Sequence, residues 1–131
     1  MTAVGLNHYN IRVPPALLEP VKDFYGRLLD LVPGPRPQTR SHGYWLYAGD
    51  QAIVHLSAGR DDAAADTPAT GWLDHVALSC RDLPDTLERL KSMGVEYRSF
   101  GSPGERLVQL FVQDPAGLSV ELNFADCDPI A

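Results

Sequence analysis

The residues whose types and spacing suggest chemistry are His8, His55, His75 and Glu121. Imidazole and carboxylate are ligands that divalent cations accept, and both also carry protons. The four fall into two pairs. Leu6-Asn7-His8-Tyr9-Asn10-Ile11 reads against Leu73-Asp74-His75-Val76-Ala77-Leu78, with His8 and His75 67 residues apart. His55 and Glu121 stand 66 residues apart, each on what reads as the last strand of its half. A lone strand histidine is usually a hydrogen-bonded structural residue. A duplication that keeps the same imidazole in both copies has little packing reason to do so, which points to ligation. His42, beside Ser41 and Gly43 in an expected loop, reads as a surface residue.

The elements that must position these residues also repeat. Leu17, Leu18, Val21, Phe24, Tyr25, Leu28 and Leu29 recur at helical spacing, as do Leu83, Leu87, Leu90 and Met93. They predict amphipathic helices over Leu17 to Leu31 and Leu83 to Met93. Asp82 or Asp85 is placed to cap the second helix and Gly94 to end it, while Pro33-Gly34-Pro35 stops the first. Strands are expected at Gly43–Tyr47, Gln51–Leu56, Leu107–Val112 and Leu118–Phe124. Asp114-Pro115-Ala116-Gly117 is the turn before the last of them. Weaker strands are expected near Arg36–Arg40 and Glu96–Phe100.

Each half is therefore β-α-β-β-β. The expected fold is α+β: two βαβββ modules curled into an incomplete barrel around a cleft, with the helices outside. A single domain over 1–131 divides into module one (1–56), an exposed linker (57–70) and module two (71–131). Strand alternation sends Tyr9, Ile11 and Val13 toward the helix layer and His8, Asn10 and Arg12 to the other face. It likewise buries Val120, Leu122 and Phe124 and turns Ser119, Glu121 and Asn123 to the cleft. A pseudo-twofold between the halves would bring three imidazoles and one carboxylate to a common point, the donor set of a divalent-metal site. Tyr44, Trp45, Tyr47 and Phe111 read as core or pocket wall, and Arg12 as either a cleft charge for an anionic substrate or a solvated edge charge.

Composition narrows the partners. The 131 residues carry a net charge of −6, and the two lysines and nine arginines form no basic stripe, so nucleic acid is not expected. No Gly-rich phosphate loop occurs. No apolar run approaches the ~20 residues of a membrane span, and the first residues lack a signal-peptide pattern. Cys80 and Cys127 lie outside any CxxC spacing, which argues against a disulfide framework or cysteine-zinc site and fits a reducing, cytoplasmic setting.

Leu6–Val13, Asp23-Phe24-Tyr25-x-x-Leu28-Leu29, Leu73–Leu78 and Phe111–Leu122 together resemble the vicinal oxygen chelate superfamily. Its members include glyoxalase I, fosfomycin-resistance thiol transferases, methylmalonyl-CoA epimerase, extradiol dioxygenases and bleomycin-resistance proteins. The resemblance spans nearly the whole chain and implies paired βαβββ modules with a metal in the cleft. It maps the ligand positions onto His8, His55, His75 and Glu121.

Within that family, glyoxalase I and the epimerases usually carry Glu or Gln where this chain has His55. Extradiol dioxygenases use the equivalents of His8, His75 and Glu121, often with an acid-base histidine near position 55. They also carry a tyrosine ten residues before the glutamate, and here that residue is Phe111, which cannot hydrogen-bond a catecholate. The resemblance therefore implies a divalent-metal-dependent, glyoxalase-like enzyme on a small oxygenated substrate, of isomerase, epimerase or lyase type. The resemblance implies a divalent cation from the set Zn, Ni, Mn, Co and Fe. Glu121, or His55 if it is not a ligand, moves the proton, and Arg12, Gln109 and Phe111 line the substrate. The alternatives are an extradiol-type dioxygenase, a metal-dependent thiol transferase and a non-enzymatic drug-binding resistance protein. A homodimer is expected, its clefts either each built from one chain or, as the resemblance favours, exchanged, with His8 and His55 from one chain meeting His75 and Glu121 from the other.

Overall fold

The computed structural model describes residues 2–38, 41–59, 70–101, 104–128 and 130. The chain divides into two compact units, Met1–Ala65 and Asp66–Ala131. Each is a βαβββ module, so the fold is α+β.

The first unit runs β1 (Tyr9–Val13), α1 (Pro15–Leu29), β2 (Val32–Gly34), β3 (Gly43–Ala48) and β4 (Gln51–Ala58). Its sheet has the order β1-β4-β3-β2, with β1 parallel to β4 and the other pairs antiparallel. A parallel pair needs a long crossover, and α1 provides it. The helix buries Leu18, Val21, Phe24, Tyr25 and Leu28, one stripe at spacings of three and four. That stripe lies against β1, β3 and β4. In β1 the buried residues are Ile11 and Val13, while Asn10 and Arg12 are exposed, as alternation requires. Gly43 is where β3 first meets β4: a Cβ there would stand 2.0 Å from the carbonyl oxygen of Leu56.

The second unit runs β5 (Val76–Ser79), α2 (Leu83–Met93), β6 (Arg98–Gly101), β7 (Leu107–Gln113) and β8 (Ser119–Ala125), in the sheet order β5-β8-β7-β6. Its topology repeats the first, with β5 parallel to β8. Val108, Leu110, Val112, Val120, Leu122 and Phe124 are the buried set of its two longest strands. Asp82 caps α2 by accepting from the Asp85 backbone N–H at 3.3 Å, and Gly94 closes it in the left-handed region.

Several boundaries differ from the sequence reading. α1 starts at Pro15 because proline suits the first helical position, where the missing N–H would have no partner. It continues through Pro20, which forfeits one backbone bond, and ends at Leu29 because Asp30 turns left-handed with φ 57°. The weak strand expected near Arg36–Arg40 falls partly on 39–40, outside the described residues, and the strand described in this stretch is Val32–Gly34. The Pro-Gly run that read as a stop is itself an edge strand, where a missing N–H is tolerated. Its counterpart is displaced from Glu96–Phe100 to Arg98–Gly101. Ser57 and Ala58 belong to β4 rather than to the linker, and 60–69 lie outside the described residues. Cys80 and Cys127 are free thiols, and burial pushes the Cys80 thiol up to about 11.

The hairpin between β7 and β8 fixes the register of the second sheet. Asp114 is buried, and its Oδ1 accepts from the backbone N–H groups of Ala116 and Leu118, both at 2.9 Å. Gly117 takes φ 86°, which a side chain would oppose. Asp114→Ala should lose about 2 kcal/mol of stability, since bonds to a charged acceptor are the stronger kind. Urea denaturation checks this, and a loss under about 0.5 kcal/mol, the range of an ordinary surface change, would contradict it.

Candidate metal centre

The repeat seen in the sequence reappears as strand register. In the first unit Trp45 lies opposite His55 and Asn10 beside it. In the second Phe111 lies opposite Glu121 and Ala77 beside it. His55 and Glu121 thus occupy the same place in the two sheets, each with an aromatic residue as cross-strand partner on its own face. His8 and His75 stand just ahead of β1 and β5, one residue short of the strands expected to carry them.

In the second unit His75 Nε2 faces Glu121 Oε1 at 3.4 Å. The other ring nitrogen, Nδ1, is 2.7 Å from Asp74 Oδ2. A carboxylate only accepts, so Nδ1 carries a proton, and in the neutral form of the ring Nε2 is the nitrogen whose lone pair turns toward Glu121. Glu121 is buried, and its Oε2 accepts from Asn123 Nδ2 at 3.0 Å. Gln109 Nε2 reaches Oε1 at 3.4 Å, a long contact that leaves lone-pair capacity on that oxygen. In that form two metal-binding atoms face each other. Donors about 2.1 Å from a shared cation at a tetrahedral angle stand about 3.4 Å apart, so the pair fits a divalent ion. Phe111 packs edge-on against His75 at 5.1 Å and Phe100 against Phe111 at 5.6 Å, walling the pair.

The first unit is arranged differently. His8 and His55 stack face to face, with ring centroids 3.7 Å apart and planes 12° from parallel. Trp45 covers the other face of His55 at 4.0 Å. Ring-nitrogen lone pairs lie in the ring plane, so two near-parallel stacked imidazoles cannot both aim at one cation. His55 is buried and its Nε2 donates to the Ala52 carbonyl at 3.1 Å. Burial holds its pKa below the ordinary imidazole value, and the neighbouring His8 adds to this. His8 is exposed, and its Nδ1 is 2.7 Å from Asn7 Oδ1, which leaves Nε2 for a ligand. A hollow of about 580 Å³ opens here, lined by Asn7, His8, Trp45, Tyr47, Gln51 and His55 among others.

The structure thus pairs His8 with His55 and His75 with Glu121. Among the described residues, no group of three or more metal-binding side chains gathers within either unit. Arg12 is exposed on the face of Asn10, whose amide donates to Ser57 Oγ at 3.1 Å. A second hollow, about 1010 Å³, is lined by Phe111 but reaches neither His75 nor Glu121. The sequence reading gave no part to Asn7, Asp74 or Asn123. The first two stand inside the repeated motif itself, and Asn123 shares the strand face of Glu121.

No protein-family model matches the chain, and no curated protein matches it. Solved structures do. A glyoxylase/bleomycin resistance protein/dioxygenase domain from Frankia sp. EAN1pec superposes with a TM-score of 0.75 at 18% identity, covering 95% of this chain and 93% of that one. The glyoxalase family protein from Enterococcus faecalis gives 0.65 at 22% identity, covering 94% and 99%. A mutant of the fosfomycin resistance protein FosX from Listeria monocytogenes, complexed with Mn(II) and dihydroxypropylphosphonic acid, gives 0.71 at 14% identity, covering 95% and 94%. With its two βαβββ modules and these neighbours, the chain has the fold of the vicinal oxygen chelate superfamily.

Proposed function

We propose that the chain is a divalent-metal-dependent enzyme acting on a small oxygenated substrate, of isomerase, epimerase or lyase type. His8, His75 and Glu121 are its ligands. The observation that carries this reading is His75 Nε2 set 3.4 Å from a buried carboxylate oxygen, two metal-binding atoms at the separation a shared cation requires. The Mn(II) bound by the FosX relative supports it further. A bound divalent cation supplies a Lewis acid that stabilises negative charge on a substrate oxygen and so acidifies the adjacent C–H.

The chain's own residues divide the remaining work. Asn123 holds Glu121 Oε2, which would leave Oε1 as the carboxylate atom to hold a cation. His55 is placed outside the ligand set because its faces are covered and its Nε2–H is held by Ala52. Its Nδ1 lone pair accepts the substrate proton, and its lowered pKa keeps it neutral and ready to do so. Arg12, Gln109 and Phe111 line the substrate.

Calorimetric titration of the metal-free protein with Zn²⁺ or Mn²⁺ should give one site per chain. Glu121→Ala or His75→Ala should weaken it by more than about 100-fold, beyond what loss of an outer partner does. Full-strength binding in the His8→Ala, His75→Ala double variant would sink the site. A panel of α-hydroxy carbonyl and epoxide substrates, run with and without oxygen, then separates isomerase from transferase and oxygenase.

The same reading expects no ring cleavage, because Phe111 lies opposite Glu121 without a hydroxyl. A yellow product from catechol with iron and oxygen, at ordinary turnover, would refute that. A homodimer that exchanges modules accounts for two donors per module. Mixing inactive His8→Ala and Glu121→Ala chains should then restore part of the metal binding, whereas a mixture that stays metal-free argues for clefts built within one chain.

The His55 role has a pH signature in the metal-free protein. Its pKa is lowered from 6.5, so the unfolded chain takes up the proton first. The stability carried by the neutral ring is complete above pH 6.5, declines as pH falls from there, and levels off below the folded pKa. His55→Gln should therefore lose less stability than the wild type between pH 7.5 and 5.5. Equal acid sensitivity in the two proteins, read from urea midpoints, would show that His55 is not buried as a neutral base.

A further inference from the structure

The residue before each paired histidine holds that histidine in the same way. Asn7 Oδ1 is 2.7 Å from His8 Nδ1, and Asp74 Oδ2 is 2.7 Å from His75 Nδ1. The two contacts belong to different units, rest on different side chains, and fall at equivalent places just ahead of β1 and β5. Adjacent residues on an extended chain point to opposite faces, so a side-chain bond between neighbours requires the irregular backbone found at these strand entries. His55, inside β4, has no such neighbour and bonds through Nε2 instead, to the Ala52 carbonyl at 3.1 Å.

We infer that Asn7 and Asp74 are positioning residues: each accepts the Nδ1–H of the following histidine, which leaves Nε2 as the ligating nitrogen, turned toward Glu121 in the case of His75. This rests on the metal-site reading above for its purpose, but the hydrogen bonds exist without the metal. A neutral imidazole has one proton to place, and the acceptor on one nitrogen decides which other nitrogen is the ligand. The two devices are unequal. Asp74 presents a carboxylate and Asn7 an amide oxygen, and the hydrogen bond to the charged acceptor holds its ring the more firmly.

The test uses the full-length, metal-free chain with ¹⁵N-labelled histidine. Long-range ¹H–¹⁵N correlations at pH 8 read the tautomer of each ring, assigned through single substitutions. The expected pattern is Nδ1–H for His8 and His75 and Nε2–H for His55, which serves as the internal contrast. Asn7→Ala should release only His8 from its tautomer, and Asp74→Ala only His75. Asp74→Asn should keep the His75 tautomer, because the amide oxygen still accepts. Each alanine variant should bind Zn²⁺ about 10- to 100-fold more weakly, with Asp74→Asn in between. Tautomers that do not move in either alanine variant overturn the inference, whatever the metal does. A wild-type chain with the expected tautomers and no metal binding refutes the proposed function and leaves the positioning intact.

Discussion

Both halves of this molecule depend on one constraint: the first strand of each module pairs in parallel with the last. Parallel neighbours cannot be joined by a tight turn, so the chain must leave the sheet, form a helix and return. That detour sets the strand order and, in the first unit, lays α1 against β1, β3 and β4. It also decides which side chains meet. Residues entering β1 or β5 are brought beside the middle of β4 or β8, so the imidazoles of His8 and His75 reach His55 and Glu121 across more than forty intervening residues. The helices do not touch this chemistry; they hold the pairing that makes it.

Given that pairing, the two modules diverge through one position. Where the first places a buried neutral imidazole, the second places a buried carboxylate. Each environment suits its occupant. His55 is enclosed between two flat rings and loses its tendency to charge. Glu121 is supplied with amide donors from Asn123 and Gln109, so its burial is compensated. A duplicated scaffold thereby holds an imidazole in one unit and a carboxylate at the equivalent position of the other.

Much of this was legible in the sequence because it is periodic or repeated. The stripe from Leu18 to Leu28 and the span from Leu83 to Met93 follow from spacing, and the Leu-Asn/Asp-His repeat led to the paired histidines. The two features that escaped have physical reasons. Pro33 in a strand contradicts local propensity and is allowed only because β2 is an edge, a fact of tertiary pairing. The stacking of His55 between His8 and Trp45 depends on ring orientation, which residue type does not encode. Asn7 and Asp74 were in plain view, but their part depends on side-chain direction at a strand entry.

The same Pro33 has a consequence for association. An unpaired strand edge is a template on which another chain can add a strand, in the manner of amyloid growth. β2 is three residues long and lacks an amide proton at its centre, so it is a poor template. β6, the matching edge of the second sheet, has no proline and exposes Phe100 at 48%. Only the charge of Arg98 guards it. Of these two outer edges, the one in the second half is therefore where edge-to-edge aggregation would begin.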